Sequence, residues 1–237
     1  MNKLIFKFSL AFVLLLNTLI IYLFYQDTFL LIEPYLYPLF FIYFIIDSFS
    51  ILVPKYNTDI YSSKMLKSKY IEVENYNKNT LKEARKRDNK IAILIFIIYF
   101  TGIVVLGFSY LHFDWFTKIY IYLLFFFFNF SDYFCIMLWC PFRSVFLKNS
   151  CCNTCRISNW DRIMKFSILI FIPNIYTISI FVIAVFIFLQ WEYLYFKHPE
   201  RFFRVSNKTL RCSSCDKVTC GKKSQNTDIK KGLMKNS

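Results

Sequence analysis

The chain is poor in the residues from which most soluble active sites are built. Of its 237 residues only 4 are glycine and 2 are histidine. A phosphate-cradling loop needs clustered glycines whose backbone N–H groups close on an anion, and no such cluster occurs. The two histidines, His112 and His198, both fall outside the apolar blocks, which argues against a haem held inside a helical bundle. No serine or cysteine is visibly paired with a base, so the familiar hydrolase arrangements have no foothold. Acidic residues are scarce as well: 15 Asp and Glu stand against 29 Lys and Arg, a formal charge of +14. An excess of that size can mark a nucleic-acid binder. Here, however, the basic residues fall in short loops beside apolar spans, where Lys and Arg fix orientation and meet anionic lipid headgroups. The expected partner is the bilayer with its anionic headgroups, and no nucleic acid.

What is abundant is apolar. Hydrophobic residues make up 57% of the chain, with 30 Phe and 17 Tyr. They come in blocks of about 20 residues, not at the 3.6-residue spacing of a soluble amphipathic helix. Five blocks stand out: Leu4–Tyr25, Phe29–Val53, Ile91–Leu111, Ile119–Leu138 and Phe166–Phe196. At about 1.5 Å per residue the first four are each about long enough to cross a ~30 Å hydrocarbon core. The first is too long for a signal-peptide core and lacks a small-x-small cleavage site, so it reads as a retained helix.

Short connections at Gln26–Thr28 and His112–Lys118 pair the first four blocks into two helical hairpins. The expected fold is therefore all-α: a polytopic membrane helical bundle of two hairpins plus a broken fifth apolar element, with a small cysteine-rich cytoplasmic metal-binding region. Its segments would be a first hairpin (1–53), a basic loop (54–90), a second hairpin (91–138), a cysteine-rich loop (139–165), a broken or re-entrant helix (166–196) and a basic tail (197–237). The positive-inside rule puts the N-terminus and both loops in the cytoplasm. Within the basic loop, Thr80-x-x-Glu83 has the form of a capping box opening a short helix over Leu81–Asn89 against the headgroups. A weak repeat, Asp47-Ser-Phe49-Ser-Ile51 against Asp132-Tyr-Phe134-Cys-Ile136, supports the two-hairpin core.

The fifth block decides the chemistry. All eight cysteines lie between Cys135 and Cys220, and this block divides them, with Cys135, Cys140, Cys151, Cys152 and Cys155 before it and Cys212, Cys215 and Cys220 after. If it crosses once, the two groups lie on opposite faces and cannot share a metal. Pro173-Asn174 inside it favours a break, which lets the chain return to the cytoplasm. Such a break needs its backbone groups buried against other helices, because lipid cannot satisfy them.

Cys152-Asn-Thr-Cys155 and Cys212-Ser-Ser-Cys215 have the two-residue spacing that brings two thiolates to one tetrahedral ion. The expectation is a structural zinc site on Cys152, Cys155, Cys212 and Cys215, with Cys140, Cys151, Cys220 and His198 as further or exchangeable ligands. Four thiolates also suit an iron–sulfur cluster, and a dithiol can cycle as a disulfide, so a membrane redox protein is the alternative. A third candidate is a small proton- or cation-coupled transporter. Asp47 and Asp132 fall about 9 Å inside the cytoplasmic ends of their helices, where a carboxylate is costly unless paired, hydrated or neutral. They read either as a facing pair in an ion path or as partners of Lys and Arg reaching in from the loops. Glu33 and Asn129 are milder cases, and Phe125–Phe128 reads as lipid-facing or core filler.

Two stretches carry a resemblance. Cys140-Pro-Phe-Arg, Phe146-Leu-Lys-Asn, Cys151-Cys152-x-x-Cys155 and Asn159-Trp160-Asp161, followed by Trp191-Glu192, His198-Pro-Glu-Arg-Phe202 and Leu210-x-Cys212-x-x-Cys215, resemble a group of bacterial multi-pass membrane proteins with a cysteine-rich cytoplasmic region. That resemblance implies a bacterial plasma membrane and the architecture above, and no activity. A superficial likeness to DHHC-type palmitoyltransferases fails at the decisive point, since no Asp-His-His-Cys run occurs.

Overall fold

The computed structural model describes residues 2–52, 64, 66–113, 116–146 and 155–211. Among these residues the fold is all helical. The main elements are α1 (Asn2–Phe24), α2 (Gln26–Leu52), α3 (Lys78–His112), α4 (Lys118–Met137), a two-turn α5 (Asp161–Phe166) and α6 (Ile175–Lys197). Four segments, Leu4–Phe24, Lys78–His112, Lys118–Met137 and Ile175–Lys197, are long and apolar enough to cross a membrane. Helices suit that solvent because all their backbone hydrogen bonds close within the segment. α2 carries Pro34 and Pro38 in its interior, each removing one donor from the helical ladder.

α1 lies antiparallel to α4. Its N-terminal half stacks Phe8 and Phe12 on Phe130, at ring separations of 5.4 and 5.6 Å, while near its other end the Tyr22 and Tyr120 hydroxyls lie 2.7 Å apart. α2 returns beside both, so that Lys7 of α1 donates to Asp47 of α2 across 2.7 Å.

The fifth apolar block is divided. α5 passes into a 3-10 turn, Ser167–Phe171, and the chain turns at Ile172–Asn174 before α6 begins. The turn satisfies its own backbone. Asn174 Oδ1 accepts from the backbone N–H groups of Tyr176 and Thr177, both at 2.9 Å. Thr177 Oγ1 in turn accepts from the Asn174 N–H at 3.0 Å and donates to the Ile172 carbonyl at 2.8 Å. Pro173 has no N–H to satisfy. A complete capping box therefore satisfies the backbone donors that open α6, while the Asn174 Nδ2 stays buried without a partner among the described residues.

The incoming arm of this turn packs tightly. Tyr99 of α3 donates to the Met164 carbonyl and meets the Ser167 hydroxyl. Gly107, one helix face further along, leaves room for the Phe171 ring; a Cβ there would lie 2.3 Å from Phe171 Cε1. The deep core forms around Phe44, Phe125, Phe166 and Leu169, with Phe44 edge-on to both Phe125 and Phe166.

α6 runs antiparallel to the incoming arm. Phe188 packs on Trp160 and Glu192 on Arg156, so the C-terminal end of α6 lies beside the start of the arm, at the end of the bundle where α2 stops and α3 starts. α3 itself differs from expectation. It starts at Lys78 under an Asn77 cap that accepts from the Asn79 N–H, and runs unbroken to His112. Thr80 opens no helix, and Leu81–Asn89 is the first part of α3. Leu81 and Ala84 pack against the Ile51, Trp191, Tyr195 and Phe202 cluster, which holds this extension to the bundle.

Candidate functional site at the basic end of the bundle

Three features meet at this end: a clasp around Arg156, a chain of alternating charges, and a cavity lined by thiols. The clasp forms because Arg156 and Glu192 lie on antiparallel strands of the same hairpin. Arg156 Nε donates to Glu192 Oε1 at 3.2 Å, its Nη2 meets Oε2, and its Nη1 donates to Asn89 Oδ1 of α3 at 2.6 Å. Trp160 Nε1 donates to the same Glu192 oxygen at 2.7 Å, and the guanidinium lies 4.2 Å above the Tyr195 ring. A planar fork suits this combination of bidentate pairing and stacking better than a lysine would.

Beyond α6 the chain folds back over the same end. Val73 N–H donates to the Ser206 carbonyl at 3.0 Å and Lys208 N–H to the Ile71 carbonyl at 2.8 Å, either side of a bridge between Glu72 and Asn207. Ser206 and Asn207 are fully buried, and Asn207 Nδ2 ties back to the Arg201 carbonyl at 2.8 Å. Lys64, also buried, sits 6.0 Å from the Trp191 ring and 5.9 Å from the Phe202 ring, which joins the long basic loop to this cap.

The charge chain alternates in sign: Lys7, Asp47, Arg162, Asp161, Lys165, Asp132. Arg162 pairs with Asp47 and, at 3.2 Å, with Asp161; Lys165 lies 3.9 Å from Asp161 and 3.4 Å from Asp132. Arg162 Nε and Nη1 are in ion-pair range but out of hydrogen-bond alignment. Of the two arrangements open to Asp47 and Asp132, the structure gives each carboxylate a cation from α5. Burial disfavours the charge on Arg162, but the carboxylates of Asp47 and then Asp161 outweigh it and push the guanidinium still further toward the charged form.

Of the two milder polar residues, Glu33 accepts from the Tyr122 hydroxyl at 2.6 Å and lies 3.8 Å from Lys118. Asn129 is buried, with no hydrogen-bond partner for its Oδ1. Of the phenylalanine run, Phe125 and Phe126 are core and Phe127 is exposed.

The cavity, of about 360 Å³, lies between the C-terminal half of α4 and the arm from Cys155 to Lys165. Cys135, Cys140 and Cys155 all line it. Burial pushes the Cys155 thiol up to about 12; the nearby Cys140 adds to the shift, while backbone hydrogen bonding at Ser158 and the charge of Lys64 oppose it. A thiol of that kind is inert unless a metal displaces its proton. Sulfur is the right donor for zinc, so Cys140 and Cys155 fit the chemistry of the expected site. The other expected cysteine ligands, Cys151, Cys152, Cys212, Cys215 and Cys220, lie outside the described residues. Among the described residues, no group of three His, Cys, Asp or Glu side chains is placed to hold a metal ion. His198 Nδ1 is engaged by Glu200 at 3.2 Å.

No family model, curated protein or solved structure matches the chain.

From the sequence, Lys and Arg of the loops are expected as partners of Asp47 and Asp132, but neither Arg162 nor Lys165 is singled out and Glu192 has no role. The available signal was position: Arg162 and Lys165 stand three apart at the mouth of an apolar block, on one helix face, opposite two acids already singled out for their depth.

Proposed function

We propose that this chain is a multi-pass protein of a bacterial plasma membrane with its N-terminus in the cytoplasm. In this reading its basic end is closed by a structural zinc ion on Cys152, Cys155, Cys212 and Cys215, and it acts as a binding or scaffold component. The observation that carries the reading is the return of the chain. The cap up to Arg211 folds against Ile71–Val73, at the end of the bundle where Cys140 and Cys155 also lie, and Cys212 is the next residue. One broken hairpin thereby removes the topological objection to a shared site. The lysine- and arginine-rich segments gather at this end too, which supports a cytoplasmic assignment.

The test is elemental analysis with a visible spectrum on protein purified without oxygen or added metal. About one zinc per chain, no colour, and loss of the zinc in both Cys152→Ser and Cys212→Ser are expected. Zinc content unchanged in both variants would sink the shared site. Brown, iron-containing protein would replace it with a redox carrier. Absence of either metal would move attention to Asp47 and Asp132 as transport carboxylates.

A further inference from the structure

The cavity beside α4 does more than house three thiols. At about 360 Å³ it falls in the ~300–1,000 Å³ range of small-molecule sites. Its walls are apolar, with Phe127, Phe128 and Phe134 from α4 on one side and Met164 from α5 on the other. α4 is long and apolar enough to cross a membrane, so an apolar cavity on its flank suits a ligand that partitions into the bilayer. One corner is charged: Asp132, Asp161 and Lys165 all line it.

That corner specifies the occupant. The Lys165 side chain is 1% exposed, yet its ammonium is 3.4 Å from Asp132 and 3.9 Å from Asp161, both longer than the ~2.9 Å of a well-formed N–H···O bond. The ammonium donates to Asp132 across the 3.4 Å and faces the Tyr133 and Phe166 rings at 5.9 and 5.7 Å; one hydrogen bond leaves N–H donors for a further acceptor. The six-membered charge chain that ends here holds three cations and three anions. It is already neutral, and a further charge brought into an apolar site would go uncompensated.

We propose that this cavity binds an uncharged amphiphile from the membrane: a long apolar chain along the α4 aromatics, with a hydroxyl or carbonyl head that accepts from Lys165. A head bearing a hydroxyl can also donate to Asp132. Long-chain alcohols and alkyl quinones share this chemistry. The inference goes beyond the zinc assignment and does not depend on it, since neither the walls nor the charged corner needs a metal.

The experiment uses full-length, delipidated protein in detergent, with four probes that carry the same sixteen-carbon chain: hexadecanol, hexadecyl-benzoquinone, hexadecyl phosphate and hexadecyltrimethylammonium. Zinc content is measured on the same preparation, so the two proposals fail separately. Saturable binding of one or both neutral probes, at about one per chain and at least about tenfold tighter than either charged probe, is expected. Which neutral probe binds then distinguishes an alcohol from a quinone. Ser131→Trp, which fills the cavity from α4, should weaken that binding about tenfold or more. If this variant misfolds, Ile136→Trp blocks the same space from a neighbouring turn. Charged probes binding as tightly as neutral ones, or neutral binding untouched in a folded cavity-filled variant, would overturn the proposal.

Discussion

Two glycines five residues apart on α3 should respond to alanine in opposite directions. Gly102 has no heavy atom within 4 Å of an added Cβ, whereas at Gly107 the Cβ would lie 2.3 Å from Phe171 Cε1 and 2.6 Å from Cζ. Carbon atoms in contact sit at about 3.5–4.0 Å, so the Phe171 ring would have to retreat by more than about 1 Å. It has little freedom to do so. The 3-10 turn carrying it is held on one side by Tyr99 and on the other by the Asn174 cap. Overpacking of this kind costs about 1–3 kcal/mol, against a gain of about 0.5–1 kcal/mol for replacing glycine within a helix. Gly107→Ala should therefore lose about 1 kcal/mol net, while Gly102→Ala, with no clash, gains a few tenths or more. Thermal unfolding in detergent, read by loss of monomer on gel filtration, should show a fall of about 2–4 °C for the first and a small rise for the second. Adding Phe171→Leu to Gly107→Ala should recover part of the loss. If both single variants rise together, Phe171 does not pack on α3 and the hairpin is placed wrongly.

The clasp and the topology can be tested in the same way. Arg156→Ala leaves the largely buried Glu192 without its cation and should destabilise the protein by about 3 kcal/mol; adding Glu192→Gln, which removes the stranded charge and keeps an acceptor for Trp160, should recover part of the loss, and no recovery would contradict the clasp. With the N-terminus in the cytoplasm, as proposed, a reporter fused after Ser237 that is active only in the cytoplasm should be active, because the cap up to Arg211 shares an end with the N-terminus of α1; reporters at the two termini falling on opposite sides would refute both the return and the shared metal site.

Much of the bundle was legible because lipid leaves few options. A run such as Leu4–Phe24 has no stable form in a membrane other than a helix, and the boundaries of α1 and α4 follow the loss of apolar residues closely. Pro173-Asn174 marked the break, but the device that caps α6 beyond it, Asn174-x-x-Thr177, went unread, because capping pairs are sought at the ends of soluble helices and not inside an apolar run. The start of α3 was misread for a related reason. Thr80-x-x-Glu83 and Asn77 both have capping chemistry, and the choice between them depends on Leu81 and Ala84 packing against residues about 110 positions later in the chain. The candidate site was legible in its acids and obscure in its cations. Asp47 and Asp132 are conspicuous against an apolar background, whereas Arg162 and Lys165 resemble any other loop charges until α5 carries them inward.

The alternating charges also impose an order on biogenesis. Asp47 leaves the ribosome with only Lys7, already synthesised, to accompany it into the bilayer; Arg162 follows 115 residues later, roughly 6–23 s at about 5–20 residues/s. Asp132 waits in the same way for Lys165. During that interval Asp47 has Lys7 but not its second cation, and Asp132 has none among the described residues, so the charge chain joining α1, α2 and α4 stays incomplete until the fifth apolar block arrives. The broken hairpin thus brings the cations that α1, α2 and α4 lack, and a chain truncated before Arg162 should be held by the insertion machinery or cleared by membrane proteases instead of accumulating as a stable fragment.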